Sequence, residues 1–206
     1  MNTSRLHSEV MLSKIARHQS WLAAGSPEQG ASSEMRLVLM DSTVSPLRLR
    51  DLRLESAVLV RCDFSESEFV KCDFSGALLF ESIFSRARFL SCEFRKAEMN
   101  SAKCVDASFS HSGLTKVDFS HTDLRKADLT DCDMSWSALL DTDLRYAILE
   151  NVNLDGARLV RTKLYNERRF HFTGFNPSVV KDVLVDADAS GPPSGGLEAL
   201  NFLKTR

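Results

Sequence analysis

The sequence lacks the motifs by which common catalytic sites are recognised. It contains no Gly-rich phosphate-binding loop, no Gly-x-Ser-x-Gly nucleophile elbow and no His-Glu-x-x-His metalloprotease motif. The carboxylate pairs Asp131/Asp133 and Asp141/Asp143 lie outside any glycine-turned loop of the kind that binds calcium. We therefore expect no catalytic residues, no bound metal and no cofactor, and hence not an enzyme.

The sequence also lacks an excess of charge of one sign and long apolar segments. Its 206 residues include 26 Lys and Arg and 28 Asp and Glu, a formal net charge of -2, so no direct nucleic-acid binding is indicated. No run of about 20 apolar residues could span a membrane. An N-terminal signal peptide needs an uninterrupted apolar core. The first 24 residues have none, because they include the charged residues Arg5, Glu9, Lys14 and Arg17. We expect a cytoplasmic protein that does not bind membranes.

A repeat of five residues dominates the middle of the chain. From Leu39 to Leu164 every fifth residue is Leu, Phe, Met, Val or Cys, and we call this position the large slot. Two residues before it, from Ala57 to Thr162, lies a small or β-branched residue, and we call this position the small slot. Steps of five would spread the apolar residues around a helix and alternate them between the faces of a strand. The backbone must therefore turn every five residues, which directs both slots into one narrow core.

Such a chain is a solenoid, because each unit buries its apolar face only against its neighbours. The spacing resembles the pentapeptide-repeat family, whose consensus Ala-Asp-Leu occurs at residues 127–129 and, more loosely, at 72–74 and 142–144. The resemblance implies an all-β solenoid, a right-handed quadrilateral β-helix with four pentapeptides per coil. Residues twenty apart would then stack at about 4.8 Å, in about six coils with helical caps at both ends. Spacing alone does not set the number of corners.

The five cysteines all occupy inward slots of this repeat, and no Cys-x-x-Cys zinc or redox motif occurs. Cys72 and Cys92 would stack within the distance that a disulfide tolerates. In a cytoplasmic protein we nevertheless interpret all five as small buried core residues with free thiols.

The repeat divides the chain into four parts. Residues 1–34 hold an amphipathic helix, from residue 4 to about 24, and a polar linker, and residues 35–165 form the β-helix. The helix would cover the open edge of the first coil, with partner binding as the alternative. In residues 166–188, Phe170, Phe172 and Phe175 would plug the last coil ahead of a helix beginning near Asn176. This part would cap the rod or form a homodimer.

Residues 189–206 comprise a flexible Gly, Pro and Ser linker and a short apolar tail. The apolar side chains of the tail are Leu197, Leu200, Phe202 and Leu203. The tail would dock on the rod, on a second protomer or on another protein, and the sequence does not rank these alternatives.

Apolar residues at outward positions mark a candidate interaction site. Val58 and Val60 flank Leu59, and Leu78 and Phe80 flank Leu79 one coil later, so these four outward side chains should lie together. Val70 and Leu90 would stack on another face, and after a polar gap the pattern returns at Ala138, Leu140 and Val160. Contiguous exposed apolar surface usually marks a contact site, although a terminal segment of the chain could also cover it.

Acidic residues recur just before the large slot, most densely at Asp118, Asp123, Asp128, Asp133 and Asp143. The family includes proteins that protect DNA gyrase and topoisomerase IV by mimicking DNA, which makes these residues a candidate acidic face. Residues 51–165, however, contain 19 acidic and 15 basic side chains, a net of -4 by subtraction. DNA carries about one charge per 1.7 Å of axis, so continuous mimicry is disfavoured.

We therefore expect a non-catalytic scaffold for protein–protein interaction whose partner is an unidentified protein. One alternative is a DNA-mimicking protector or inhibitor of gyrase or topoisomerase IV, which would confer drug or toxin resistance. The other alternative is an effector or adaptor of a secretion system. A homodimer formed through the C-terminal region is compatible with each.

Overall fold

The computed structural model describes residues 4–6, 8–24, 35–44, 46–164, 171–176, 178–181 and 183. The chain is a β-solenoid of about seven turns with one N-terminal helix, which confirms the predicted fold with one turn more than expected. In the described part of the chain the elements are α1 Ser8–Ala23, β1 Ser4–Leu6, β2 Val38–Met40, β3 Ser42–Val44, β4 Arg48–Arg50, β5 Val58–Val60, β6 Glu68–Val70, β7 Arg88–Leu90, β8 Ala138–Leu140, β9 Glu150–Asn153, β10 Arg158–Val160, β11 His171–Gly174 and β12 Val179–Lys181.

Residues twenty apart lie side by side in neighbouring coils. Strands β2 and β5 pair in parallel with Val38 opposite Val58, and β6 and β7 pair with Glu68 opposite Arg88. Between β7 and β8 single parallel bridges continue the same spacing, as from Ile83 to Lys103. Four pentapeptides therefore make one coil, as the family resemblance implied.

The chain turns at the second residue after each large slot. Every fifth residue from Asp51 to Arg161 has a positive φ, and apart from Gly76 and Gly156 all of these corner residues carry side chains. Left-handed backbone costs roughly 1–2 kcal/mol for an ordinary residue and more for a β-branched one. The corner residues between Asp51 and Arg161 include no Val, Ile or Thr, which the steric cost explains.

The core consists of stacked rows of side chains from the large slot. Phe89 stacks on Phe69 and Phe109, with ring centroids 5.0 and 4.9 Å apart, and makes edge contacts with its neighbours on adjacent faces. All eight phenylalanines in the large slot, at 64, 69, 74, 84, 89, 94, 109 and 119, are at most 2% exposed. Offset and edge-on ring pairs of this kind add to the stability that burial provides.

Polar residues in the small slot satisfy backbone groups inside the rod. Thr122 Oγ1 donates a hydrogen bond of 2.8 Å to Met99 O in the preceding coil, and Ser82 Oγ donates one of 2.8 Å to Leu59 O. Ser82 Oγ also accepts the amide of Cys62 at 2.9 Å. Serine and threonine are therefore tolerated in this core because their hydroxyls are fully bonded.

The five cysteines are buried free thiols, so Cys72 and Cys92 form no disulfide. The Cys72 amide donates to Cys92 Sγ at 3.4 Å, and Cys92 Sγ donates to Phe69 O at 3.4 Å. Burial raises the pKa of Cys62 to about 11 and that of Cys132 to about 12. The thiols of Cys62 and Cys132 are therefore protonated at neutral pH, and all five cysteines act as small core residues.

Helix α1 covers the first coil. Met11 and Ile15 join the apolar core, and β1 pairs in parallel with β3 ahead of the first complete coil. Gln19 hydrogen-bonds both the carbonyl and the amide of Arg53 through its side chain. The predicted N-terminal helix is thus present and lies against backbone groups at the open edge, but it begins at Ser8 rather than at residue 4, because residues 4–6 pair with β3 as a strand.

His18 is the one buried ionisable side chain on the described part of this helix. It is fully buried, stacks on Trp21 with centroids 5.3 Å apart and accepts the Leu37 amide through Nδ1 at 3.0 Å. Burial lowers the pKa of His18, with the Glu55 carboxylate opposing and Arg36 and Arg53 adding to the shift. The neutral imidazole is therefore the form that holds the helix on the first coil.

The C-terminal end differs from the expected helical cap. Residues 179–181 form strand β12, which pairs in parallel with β10, with Arg158 opposite Val179. The open edge of β10 offers backbone groups that a strand satisfies and a helix does not, and the β-branched Val179 and Val180 suit a strand. The predicted helix near Asn176 is therefore wrong at these residues. Of the three phenylalanines expected to plug the last coil, Phe172 and Phe175 stack 4.7 Å apart against the core, and Phe170 lies outside the described residues.

The aromatic rows predict a large loss of stability from one deletion. Phe89→Ala should lower the free energy of unfolding by about 3–5 kcal/mol, since the cavity cannot close within a stacked row. Phe80→Ala is the matched control, because Phe80 lies in an outward position and is only half-buried. Urea unfolding followed by circular dichroism measures both. Equal losses in the two variants would contradict the assignment of the inward slots.

The corners predict opposite responses to two substitutions of one residue. Lys96 has φ +60°, so Lys96→Val should cost at least about 1–2 kcal/mol, whereas Lys96→Gly should stay within about 1 kcal/mol of the parent. Lys103→Val is the control, since Lys103 occupies an outward strand position where Ile83 stands one coil earlier. Thermal unfolding of the three variants checks the prediction, which fails if both valine variants behave alike.

The buried imidazole predicts loss of stability in mild acid. Because the folded pKa of His18 is lowered, the unfolded chain binds a proton that the folded chain refuses, so stability falls as the pH drops below about 6.5. His18→Gln removes this titration and keeps an acceptor for the Leu37 amide. Unfolding free energies of parent and variant from about pH 8 to about pH 5 isolate the effect. Parallel pH profiles would refute it.

Candidate protein-interaction surface

The rod has four faces, and one of them carries most of the outward apolar residues. This face, here called face A, contains strands β2, β5, β8, β10 and β12. Strands and bridges align its two outward columns, which run through positions 38, 58, 78, 98, 118, 138, 158 and 179 and through positions 40, 60, 80, 100, 120, 140, 160 and 181. Each coil therefore presents two side chains on face A.

Three consecutive coils of face A are apolar in both columns. We call this set the apolar strip: Val38, Met40, Val58, Val60, Leu78 and Phe80. Val38 and Met40 are 42% and 47% exposed, and Val58, Leu78 and Phe80 are half-buried. The four strip residues named from the sequence thus lie together, and the structure adds Val38 and Met40. Their position twenty residues before Val58 and Val60 could have revealed them.

Two of the residues expected to be exposed are buried. Val60 lies between Met40 and Phe80 in its column and has no exposed surface. Val70 is 7% exposed, whereas its neighbour Leu90 on β7 is 43% exposed. An outward position in this rod therefore does not guarantee exposure, because larger side chains in the same column can flank a small one.

The two edges of the apolar strip differ in character. On one edge Arg61 forms a bidentate ion pair with Asp41, with Nε–Oδ1 and Nη2–Oδ2 distances of 2.6 and 2.9 Å. The hydrogen bonds from Arg61 lower the pKa of Asp41. The other edge carries the small corner residues Ser56 and Gly76. Arg36, twenty residues before Ser56, donates a hydrogen bond from its side chain to the Ser56 carbonyl at this second edge.

A second apolar stretch lies at the C-terminal half of face A. Ala138, Leu140 and Val160 are half-buried there, and Val179 on β12 is 39% exposed. The polar residues Glu98, Asn100, Asp118 and Ser120 separate this stretch from the apolar strip. Trp136 lies 61% exposed at the adjacent corner, above Gly156, where a Cβ would come within 2.5 Å of the indole.

The acidic candidates do not form one face. Asp118 lies on face A, Asp123 and Asp143 share a second face, and Asp128 and Asp133 lie on the other two. Arg125 and Arg145 pair with Asp123 and Asp143, with N–O distances of 2.7 and 2.6 Å respectively. The expected acidic surface is thus dispersed around the rod and partly neutralised, because successive pentapeptides turn to successive faces.

A structural role explains the acidic residues at this position. Oδ1 of Asp118 accepts the amide of Ser120 at 2.9 Å, and Oδ1 of Asp133 accepts that of Ser135 at 3.0 Å. Asp63, Asp73, Asp128, Asp143 and Asn153 repeat this bond to the amide two residues later. Where Asp or Asn occupies this position, its short side chain therefore fixes the backbone ahead of the corner.

The described residues contain no cluster of three or more His, Cys, Asp or Glu side chains suited to hold a metal ion. His111 pairs with Asp131 at 3.2 Å and His121 with Asp141 at 3.6 Å, on two different corners. Among the described helices none has the length and apolar character needed to cross a bilayer. The tail candidates Leu197, Leu200, Phe202 and Leu203 lie outside the described residues.

Two family models match the sequence. One describes a pentapeptide repeat region and matches residues 82–159, and the other describes eight copies of the pentapeptide repeat and matches residues 48–86. No curated protein sequence matches the chain significantly.

Similar solved structures include a pentapeptide repeat protein from the thylakoid lumen of Arabidopsis thaliana, with 19% identity, 76% of this chain and 88% of that chain covered, and a TM-score of 0.34. HetL, a pentapeptide repeat protein involved in heterocyst differentiation regulation in Nostoc sp. Strain PCC 7120, has 16% identity, 82% and 96% coverage and a TM-score of 0.28. QnrB1, a plasmid-mediated fluoroquinolone resistance protein, has 14% identity, 80% and 99% coverage and a TM-score of 0.30.

Proposed function

Since the chain belongs to the pentapeptide repeat family, we propose that it is a non-catalytic scaffold that binds another protein through the apolar strip. The observation that carries this proposal is the run of three coils with apolar side chains in both columns of face A. The repeat does not require apolar residues there, because Glu98, Asn100, Asp118 and Ser120 occupy the same columns one and two coils later.

The exposure of the strip supports a contact with a partner. Val38 and Met40 are two of the eight exposed large apolar residues in the described part of the chain, and they lie side by side on one strand. Apolar surface that is contiguous rather than scattered is typical of interaction sites on soluble proteins. The charged pair Asp41–Arg61 beside it would act as the polar rim that such sites have.

The distribution of charge supports this function over DNA mimicry. A mimic needs a continuous negative field along the rod, whereas here the aspartates are divided among four faces. Several of them bond the backbone two residues later, and others pair with arginine, as in Asp123–Arg125 and Asp141–Arg161. These hydrogen bonds and ion pairs within the fold are sufficient to explain why the acidic residues are present.

The test compares two substitutions with the same chemistry on different faces. Leu78→Asn removes apolar surface from the strip, and Ile83→Asn does the same one face away. Both sites tolerate the change, since Asn153 occupies an equivalent position and accepts a backbone amide. We expect Leu78→Asn to weaken capture of specific proteins from the source cells at least several-fold, while Ile83→Asn retains them, as quantified by mass spectrometry.

Two outcomes would count against the proposal. Retention of every captured protein by the Leu78→Asn variant, or equal losses in both variants, would remove the apolar strip as the binding site. Inhibition of purified gyrase by the parent protein at stoichiometric amounts, unchanged by Leu78→Asn, would favour the topoisomerase alternative.

A further inference from the structure

We propose that residues 197–203 of the same chain bind the apolar strip and cover it until a partner displaces them. The inference rests on the function proposed above, since it takes the strip to be a surface that binds an apolar segment. Of the three docking sites that the sequence left open for this segment, it selects the rod of the same chain. Three features of the molecule support it: the size of the strip, the face on which the last described strand lies and the length of the segment between.

The strip by itself is too small for an interface between two folded surfaces, so a segment of this chain and the proposed partner would each contact it through a single short stretch. The two columns of the strip are two residues apart, about 7 Å, and its three coils span two spacings of about 4.8 Å. Even with the breadth of the side chains, this surface is on the order of 200–300 Å², whereas a stable interface buries about 800 Å² on each partner. A single short segment matches this width, because one helix or strand is about 10 Å across with its side chains.

The last described strand lies on the same face as the strip, and Val183, the last described residue, is buried in the core just beyond this strand. Strand β12 lies on face A, in the same columns as the strip, because it pairs with β10 and β10 pairs with β8. From Val179 to Leu78 the columns pass through positions 158, 138, 118 and 98. These five steps of about 4.8 Å amount to roughly 24 Å along one flat side of the rod.

The length of the intervening chain matches this distance. Residues 184–196 include the sequence Ser-Gly-Pro-Pro-Ser-Gly-Gly at 190–196. A flexible chain of this length has a root-mean-square span of about 20 Å and a maximum of roughly 43 Å. Effective concentration is highest when the tether length matches the distance between sites. Weak contacts then suffice to keep the segment bound.

The side chains of the segment fit the strip chemically. Leu197, Leu200, Phe202 and Leu203 supply four apolar groups within seven residues. Met40 is adaptable in shape and makes favourable contacts with aromatic rings, so it provides a natural partner for Phe202. The second apolar stretch of face A, at Ala138, Leu140 and Val160, lies along the route between β12 and the strip. The charged pair Asp41–Arg61 closes one edge of the bound position.

Photo-crosslinking of the full chain tests the placement. The variant Phe202→p-benzoylphenylalanine is irradiated, digested with trypsin and analysed by mass spectrometry. We expect crosslinks within one chain to peptides 37–48, 54–61 and 72–86, which carry the six residues of the strip, with a yield that dilution does not change. Adding Leu78→Asn should lower that yield several-fold, and adding Ile83→Asn should not. The same photoreactive group at Ser190 is the control for the tether alone.

The outcomes separate this inference from the proposed function. Crosslinks between two chains, crosslinks to other faces, or a yield insensitive to Leu78→Asn would overturn the intramolecular placement. If the placement is correct, Leu200→Ser with Phe202→Ser should increase strip-dependent partner capture by the full chain. If partner capture depends on Leu78 but no crosslink forms, the scaffold function stands and the binding of residues 197–203 to the strip is refuted. If the crosslink forms but no partner is captured through Leu78, the binding of residues 197–203 stands and the scaffold function is refuted.

Discussion

The structure depends on one backbone constraint, the left-handed residue at the corner of each pentapeptide. From Asp51 to Arg161 this conformation returns at every fifth residue, and the chain changes direction each time. Without it the large and small slots could not both face the axis of the rod. The conformation is costly for residues other than glycine, and the cost is offset because each coil pairs with the coils before and after it and the core between them is filled by large side chains.

Register follows from these corners and determines what each column can contain. Residues twenty apart share one environment, so aromatic rings meet aromatic rings and hydroxyls in the small slot reach carbonyls of the preceding coil. The outward columns have no such requirement beyond the backbone bonds made by Asp and Asn. An apolar strip on face A is therefore not demanded by the fold, and this freedom makes it informative about binding.

The sequence predicted the repeat, the inward slots and the N-terminal helix because each depends on local periodicity. Stacking at twenty residues came from the family resemblance and then placed Val58 with Leu78 correctly. The burial of Val60 was not predictable from the repeat, since it depends on the sizes of Met40 and Phe80 in neighbouring coils. The strand Val179–Lys181 was also missed. The spacing of the apolar residues in this segment is typical of a helix, but the exposed edge of β10 offers the backbone hydrogen bonds that a strand needs.

The candidate acidic face was also predicted wrongly from the sequence, because its residues are dispersed around the rod. Asp118, Asp123, Asp128 and Asp133 are neighbours in the sequence, yet four successive pentapeptides point them in four directions. The hydrogen bonds of these carboxylates to the backbone became visible only with coordinates. A periodic sequence therefore predicts columns well, whereas the composition of a segment predicts a surface poorly.

The most direct test of this account is the stability of two internal deletions. Removing residues 101–120 takes out one whole coil and restores every column in register, so the shortened protein should unfold cooperatively with a β-solenoid circular dichroism spectrum. Removing residues 101–119 shifts all later side chains by one position and directs polar groups into the core, so this protein should not fold. Equal stability of the two deletions would contradict the account.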